Sequence, residues 1–198
     1  MSSLRRVLLI SLGNPGNLRS TYHSAGHIVL ESLQRQLGRD QPAFGDMRYG
    51  KASALVSIGY RYTLVQSPTS MNVSGPWVSS AIRQHFEDNM LSQEEGAVLL
   101  VHDDLELDLG VVKVRKWDSS HKGHNGVKSV QASPSKFVQG SAAKTARLCV
   151  GIGRPEGRDK RTVSDFVLSR IPKYDRSVLE GKATQKVFEA LSELERKW

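Results

Sequence analysis

Two short apolar runs restrict the possible folds of this chain more than any other feature. "VLLI" at Val7–Ile10 and "AVLLV" at Ala97–Val101 contain no polar residue, and polar residues or glycine bound both runs. Runs of this length are typical of strands that are buried on both faces of a sheet. Between them, Ser24–Leu37 has apolar residues at helical spacing and ends at Gly38, which predicts an amphipathic helix. The chain therefore predicts an α/β protein.

The remaining patterns extend this alternation of strands and helices. Apolar and polar residues alternate around Gly59 and Tyr60, which predicts a β-hairpin. We predict further strands at "VVKVRKW" and "ARLCVGIG", helices at Val73–Phe86, Asn125–Gln131 and Tyr174–Arg196, and a surface loop at Ser133–Lys144. Together these elements predict a three-layer α/β/α fold with a central mixed, mostly parallel, twisted sheet. We expect a single domain over residues 1–198, with the C-terminal helix (174–197) packed on it.

Basic side chains are concentrated in one part of the chain. Between Gly110 and Arg161, twelve lysines and arginines oppose three acids, a balance of +9, whereas the whole chain carries +8. Such a concentration favours a polyanionic partner, with nucleic acid as the first choice. The alternative is that these charges belong to an ordinary solvated surface.

The first residues and the cysteine content bear on where the protein acts. "MSSLRRVLLISLG" combines positive charge with an apolar run, but no small-residue cleavage site follows, so we expect a first strand rather than a targeting sequence. No apolar stretch approaches the roughly 20 residues of a membrane helix. Because Cys149 is the only cysteine, an intramolecular disulfide is excluded. We expect a cytoplasmic protein, with the mitochondrion as the alternative.

Three polar residues follow predicted strands. Asn14 follows the first strand, Asn72 follows the hairpin, and Asp103 follows Val101. Ligands of α/β sheets collect beyond the carboxyl ends of the strands, so we expect these side chains to lie close together. His23 lies in the same region, because it stands at a predicted helix start soon after Asn14.

A histidine, a carboxylate and several amides, without a nucleophilic side chain, suit hydrolysis by water. A histidine with a pKa near neutrality can take a proton from water as the water attacks a carbonyl. A carboxylate on the other ring nitrogen would hold the correct tautomer and stabilise the imidazolium. Asparagine amides would donate hydrogen bonds to the developing oxyanion.

Other chemistries match the sequence less well. Neither "LGNPG" nor "VGIGRPEG" has the dinucleotide-binding pattern. His121 and His124, or the "HDD" stretch, could be metal ligands, but Gly123 disfavours a helix that would place the two histidines on one face. No Gly-x-Ser-x-Gly motif is present, and Cys149 lies in a predicted strand, where a buried and inert thiol is the usual case.

Five stretches together resemble one known family. "LGNPG…HSAGH", "PTSMNVSG", "VHDDLELDLGVVKVR", "GHNGVKS" and "ARLCVGIGRPEG…VSDFVLS" follow one another in the order and spacing of the bacterial-type peptidyl-tRNA hydrolases, from about Val7 to Leu168. This resemblance implies hydrolysis of the ester bond of peptidyl-tRNA, which releases free tRNA and an N-blocked peptide for recycling. It also implies a monomer that needs no metal or cofactor, does not bind membranes, and contacts the acceptor stem and 3′ end of its substrate.

The resemblance also implies a role for individual residues. His23 would be the general base, and Asp103 would orient it. The substrate-binding residues would be Asn14, Met71, Asn72 and Asn125. The tRNA-binding residues would be Lys113, Arg115, Lys116, Lys122 and Arg147.

Several alternatives stay open. His23 could cap a helix, Asp104 could replace Asp103 as the partner, and Met71 could belong to the core. Asn14 and Asn125 could serve only as turn residues.

The chain also departs from the family's pattern. The segment between Asn14 and His23 is one residue short and lacks the family's tyrosine, and Cys149 replaces a residue that is commonly basic, for which Arg147 could compensate. A catalytically inactive tRNA- or ribosome-associated RNA-binding protein with the same fold is therefore the alternative function.

Overall fold

A computed structural model describes residues 6–140 and 143–198. Seven strands form one sheet in the order β2-β3-β4-β1-β5-β7-β6. The strands are β1 Arg6–Ser11, β2 Gly45–Tyr49, β3 Ala52–Ile58, β4 Tyr62–Gln66, β5 Gly96–Asp104, β6 Val112–Arg115 and β7 Lys144–Gly151. The α-helices are α1 Ala25–Leu37, α2 Ser74–Asp88, α3 Asn125–Gln131, α4 Lys160–Val167, α5 Lys173–Val178 and α6 Thr184–Lys197.

The direction of the strands confirms the predicted sheet. β1 pairs in parallel with β4 and β5, and β5 pairs in parallel with β7. The pairs β2–β3, β3–β4 and β6–β7 are antiparallel. Five strands therefore share one direction, and only β3 and β6 run against it. The hairpin predicted around Gly59 is the antiparallel β3–β4 pair.

Helices cover both faces of the sheet, which confirms the three-layer architecture. Alternate residues of a strand point to opposite faces. On one face Leu9 and Leu99 pack in a cluster with residues of α1 and α6, and on the other Leu8 and Leu100 pack in a cluster with residues of α2. Full burial of a side chain of this size contributes about 1.5–3 kcal/mol to folding, so the two clusters are a large source of the stability of the sheet.

The C-terminal segment is helical, as predicted, but not uniform. A π-helical turn at Leu179–Ala183 joins α5 to α6, and α6 packs against α1. Among the described residues, no helix has both the length and the apolar character that crossing a membrane requires. The expectation of a single domain over the whole chain stays a prediction.

Candidate active site

The ends of several elements meet at one cleft. It has a volume of about 630 Å³ and lies at the carboxyl ends of β1, β4 and β5. Asn14 follows β1, and Met71 and Asn72 follow β4. Asp103 is the second-last residue of β5. All four residues line the cleft. For Asn14, Asn72 and Asp103, their position after or at the end of a strand predicted this. His23 reaches it from the 3₁₀ turn Tyr22–Ser24 that precedes α1.

The imidazole of His23 lies against the carboxylate of Asp103. His23 Nδ1 is 3.0 Å from both Oδ1 and Oδ2 of Asp103. An ionised carboxylate only accepts hydrogen bonds, so Nδ1 carries the proton and donates it. In the neutral ring Nε2 is then unprotonated, and no described residue forms a hydrogen bond with it. Burial would lower the pKa of His23, but the Asp103 charge and hydrogen bond outweigh burial and raise it above 6.5.

A second imidazole, which the sequence did not assign to this pair, holds the same carboxylate. His124 Nε2 is 2.9 Å from Asp103 Oδ1. His124 is also the N-cap residue of α3, where its Nδ1 accepts a hydrogen bond from the Val127 N–H at 3.2 Å. This bond fixes the tautomer with the proton on Nε2, which donates to Asp103. Burial would raise the pKa of Asp103, but the two imidazoles hold it far below its usual range.

His102 forms a hydrogen bond with the backbone of Asp103. Its Nδ1 lies 2.7 Å from the Asp103 carbonyl and donates to it, since a carbonyl only accepts. Its Nε2 is 3.4 Å from Cys149 Sγ, and its ring meets the His124 ring edge-on. Burial and the neighbouring His124 lower the pKa of His102 to about 3, so this histidine stays neutral. Burial raises the pKa of Cys149 to about 11, which agrees with an inert thiol.

Three asparagine amides surround the base. Asn14 is buried, and its Oδ1 accepts a hydrogen bond from the Met71 N–H at 3.1 Å. This contact assigns the amide orientation and leaves Nδ2 as a donor without a protein acceptor among the described residues. Asn72 and Asn125 are exposed at the rim of the cleft. Met71 is both a cleft residue and part of the core, so the two interpretations of it are compatible.

The predicted tRNA-binding residues fall into different environments. Arg115 and Lys122 line the cleft, and Arg115 forms an ion pair with Asp104 at 3.2 Å. Lys113 and Lys116 are exposed outside the cleft. Arg115 and Lys122 therefore present charge in the cleft, and Lys113 and Lys116 present it on the exposed surface outside the cleft.

Arg147 lies in a different environment from the other four residues. It is only 2% exposed, and its Nε and Nη2 donate to the carbonyl oxygens of Lys116, Ser119 and Ser120. These bonds support the loop between β6 and α3. Arg147 also lines the cleft, and its role as a phosphate contact stays a prediction.

The site residues predicted individually do not include α4 or the basic residues around it, although these basic residues belong to the stretch Gly110–Arg161 whose charge favours a polyanionic partner. Arg154, Arg158 and Lys160 line the far side of the cleft. Val163 and Val167 of α4 give this side an apolar wall. The high charge of "GRPEGRDKR" was the available indication, together with the helical spacing of the two valines.

The same cluster contains the atoms of a possible metal site. His23, Asp103 and His124 each offer one ligand atom, and these atoms lie within 4.8 Å of one another. Zinc accepts such nitrogen and oxygen ligands. However, the Val127 N–H keeps Nδ1 of His124 unprotonated, so its Nε2 would have to lose its proton and its bond to Asp103. The hydrogen bonds present therefore compete with metal binding.

Comparisons with known proteins agree on one family. A family model described as "Peptidyl-tRNA hydrolase" matches residues 8–197. The "Probable peptidyl-tRNA hydrolase" of Schizosaccharomyces pombe is 32% identical over 195 residues, which are 96% of this chain and 85% of that protein. The "Peptidyl-tRNA hydrolase" of Mannheimia succiniciproducens is 34% identical over 177 residues, covering 87% of this chain and 82% of the relative.

Solved structures lead to the same result. A crystal structure of a complex of peptidyl-tRNA hydrolase with N-propanol superimposes with a TM-score of 0.68 at 26% identity, covering 98% of this chain and 88% of the other. The enzyme from Acinetobacter baumannii superimposes with a TM-score of 0.67 at 24% identity, covering 98% and 96%, which supports the fold alone. Because the family model matches nearly the whole chain and these relatives are more than 30% identical to it, the chain belongs to the peptidyl-tRNA hydrolase family.

Proposed function

We propose that the protein hydrolyses the ester bond of peptidyl-tRNA and releases free tRNA and an N-blocked peptide. One observation supports this most: His23 is held through Nδ1 by a buried carboxylate, and its free Nε2 lies in a cleft with three amides. A purely RNA-binding protein would have no need of such an oriented base. The family to which this chain belongs also does not favour the inactive alternative.

The proposed reaction uses water as the nucleophile. His23 Nε2 takes a proton from a water molecule while the water oxygen attacks the ester carbonyl. The negative charge that develops on the carbonyl oxygen accepts hydrogen bonds from an asparagine amide, with Asn14 Nδ2 and Asn125 as the donors at hand. When the intermediate collapses, the C–O bond to the 3′ oxygen of the ribose breaks, and the His23 imidazolium returns its proton to that oxygen.

Asp103 supports this cycle without taking a proton. Its carboxylate accepts from Nδ1 in both charge states of His23 and stabilises the imidazolium more than the neutral ring. A positioned general base contributes about 10²–10⁴-fold, and one oxyanion donor contributes about 10²–10³-fold. Asn72 at the rim would order the water or bind the peptide backbone, and Met71 would contact an apolar part of the substrate.

The basic side chains in the cleft and on the surface outside it would bind the phosphates of the substrate. We propose that Lys113, Arg115, Lys116 and Lys122 contact phosphates of the acceptor stem and 3′ end. Phosphate contacts position a nucleic acid without reading its bases, so one site can serve many tRNAs. We further propose that the protein acts as a monomer in the cytoplasm.

The proposed activity is tested by ester release from labelled N-acylated aminoacyl-tRNA. We expect the chain to release the labelled N-acyl amino acid, and we expect the rate to be unchanged after exhaustive treatment with a chelator. Failure to release the label would leave only RNA binding. Loss of activity on chelation, with recovery on adding Zn²⁺, would assign a metal to the His23–Asp103–His124 cluster.

The phosphate contacts are tested by removing two charges that the fold does not use. In the variant Lys113→Gln/Lys122→Gln, we expect KM to rise with little change in kcat. Each lost contact should reduce the slope of log affinity against log salt by about 0.7–0.9. Lys51→Gln is the matched control, because Lys51 is an exposed lysine in the turn between the edge strand β2 and its neighbour β3. A slope equal to that of the wild type in the double variant would place the tRNA elsewhere.

A further inference from the structure

Ser24 occupies a position where a serine normally caps a helix, but it does not cap α1. It is the N-cap residue of α1, and its side chain makes no capping hydrogen bond. Serine is favoured at this position because its hydroxyl can accept from an N–H of the first turn. The side chain of Ser24 is fully buried, so its hydroxyl must find other partners.

Those partners are two backbone groups in the segment 14–22, which leads to His23. Ser24 Oγ accepts a hydrogen bond from the Asn14 N–H at 3.0 Å and donates to the Leu18 carbonyl at 2.9 Å. A hydroxyl has one proton to donate, and this geometry uses it. The backbone at Asn14 is thereby tied to the residue that directly follows His23.

The other end of Asn14 is fixed as well. Its side-chain Oδ1 accepts from the Met71 N–H, while its backbone N–H is held by Ser24. With both of these groups engaged, the position of Nδ2 is fixed as well, and Asn14 lines the cleft. The position of the amide donor relative to His23 therefore depends on the Ser24 hydroxyl.

The middle of the segment is anchored independently of Ser24. Arg19 donates to Glu31 of α1 at 2.7 Å and also to Gln66 of β4. This anchor keeps the turn Gly16–Ser20 on the body of the protein, so loss of the Ser24 hydroxyl is expected to loosen the Asn14 end without unfolding the segment.

We infer that Ser24 is a positioning residue, whose hydroxyl sets the Asn14 amide at its working distance from the His23 imidazole. This inference rests on the proposed function. A small misplacement of a catalytic group costs up to roughly 10²-fold in rate. Ser24 touches neither substrate nor the reacting atoms, so its effect must pass through Asn14.

The first test compares two buried serines, one at the N-cap of α1 and one within α1. In Ser24→Ala we expect kcat for ester release to fall roughly 10- to 100-fold, with little change in KM. Ser32→Ala is the control, because Ser32 is also buried but bonds only to Arg35 on the far part of α1; we expect it to keep kcat. Wild-type kcat in Ser24→Ala would overturn the inference, and Ser24→Gly provides the same test if the alanine variant does not fold.

The second test separates positioning from general damage. If Ser24 acts through Asn14, Ser24→Ala should have almost no further effect on kcat in an Asn14→Ala background. An equal fold-loss in both backgrounds would contradict the inference. These outcomes are distinct from failure of the proposed function, which would appear as no ester release by the wild type.

Discussion

Replacing His23 with alanine is expected to lower kcat for ester release by about 10²–10⁴-fold, because the variant loses the base that takes the proton from water. The neighbouring His124 does not replace this base in our account, because its Nδ1 accepts from the Val127 N–H and its Nε2 donates to Asp103. Single-turnover hydrolysis of N-acylated aminoacyl-tRNA measures the chemical step without the contribution of product release.

The same variant should still bind tRNA. His23 is a buried cleft residue, whereas the phosphate contacts proposed above come from other, basic residues, so the Kd for tRNA should change little. A melting curve shows whether the fold is intact. Retention of near-wild-type hydrolysis by a folded His23→Ala protein would exclude His23 as the base.

Replacing Asp103 with asparagine is the second variant for which we expect a large loss. His23 Nδ1 now lies 3.0 Å from both carboxylate oxygens, and in the variant one of these acceptors becomes an NH₂ donor that faces the Nδ1–H. The neutral amide also no longer stabilises the imidazolium. In the Ser-His-Asp triad of serine proteases the equivalent substitution lowers kcat about 10⁴-fold, and we expect a loss of roughly 10³–10⁴-fold here. The kcat of the variant at neutral pH measures this loss.

The pH dependence of kcat adds a prediction with a definite sign. The base must be neutral, so kcat falls as the pH drops below the pKa of His23. Burial alone would lower this pKa, and Asp103 raises it above 6.5, so the acid limb of the wild type should have its midpoint above 6.5. Without the carboxylate only burial remains, and the midpoint of Asp103→Asn should move below 6.5.

Asp104→Asn is the matched variant for this prediction. Asp104 bonds to Arg115 and to the Glu106 N–H, and it makes no contact with His23 in the described part of the chain. We expect a change in KM through Arg115 and an acid limb in the wild-type position. A shift of the acid limb in Asp104→Asn, and none in Asp103→Asn, would make Asp104 the partner of the base.

The buried strands could be predicted from the sequence because burial on both faces leaves a continuous apolar run. β1 and the first part of β5 follow this rule. β5 runs on to Asp104, three residues beyond the predicted end, because its last residues are polar although they are buried. The edge strand β2 was missed since four of its five residues are exposed, which leaves no apolar pattern.

The parts of the site that could be predicted are those that follow strands. Asn14, Asn72 and Asp103 stand at strand ends, and chain direction alone brings them together. The sequence identified His124 only as a possible metal ligand. Its contact with Asp103 joins residues 21 positions apart, and no local sequence pattern predicts such a contact. The sequence predicts α3 from Asn125, where the helix does begin, but histidine is not among the residues that normally cap a helix, so the capping role of His124 was not expected.

The buried environment of Arg147 could not be predicted from the sequence. Sequence alone does not tell whether an arginine in a strand meets solvent or the backbone of a neighbouring loop. Here the loop between β6 and α3 folds over β7, and its carbonyl oxygens supply acceptors for the guanidinium. Charge counting identified the basic region correctly but could not separate structural from exposed cations within it.

The central claim is that Asp103 holds His23 with Nδ1 protonated and Nε2 free in the cleft. A ¹⁵N NMR titration of the His23 imidazole in the wild type and in Asp103→Asn tests this claim most directly. We predict a neutral ring protonated on Nδ1, and a pKa above 6.5 that falls below 6.5 in the variant. A ring protonated on Nε2, or a pKa that is the same in both proteins, would contradict the account.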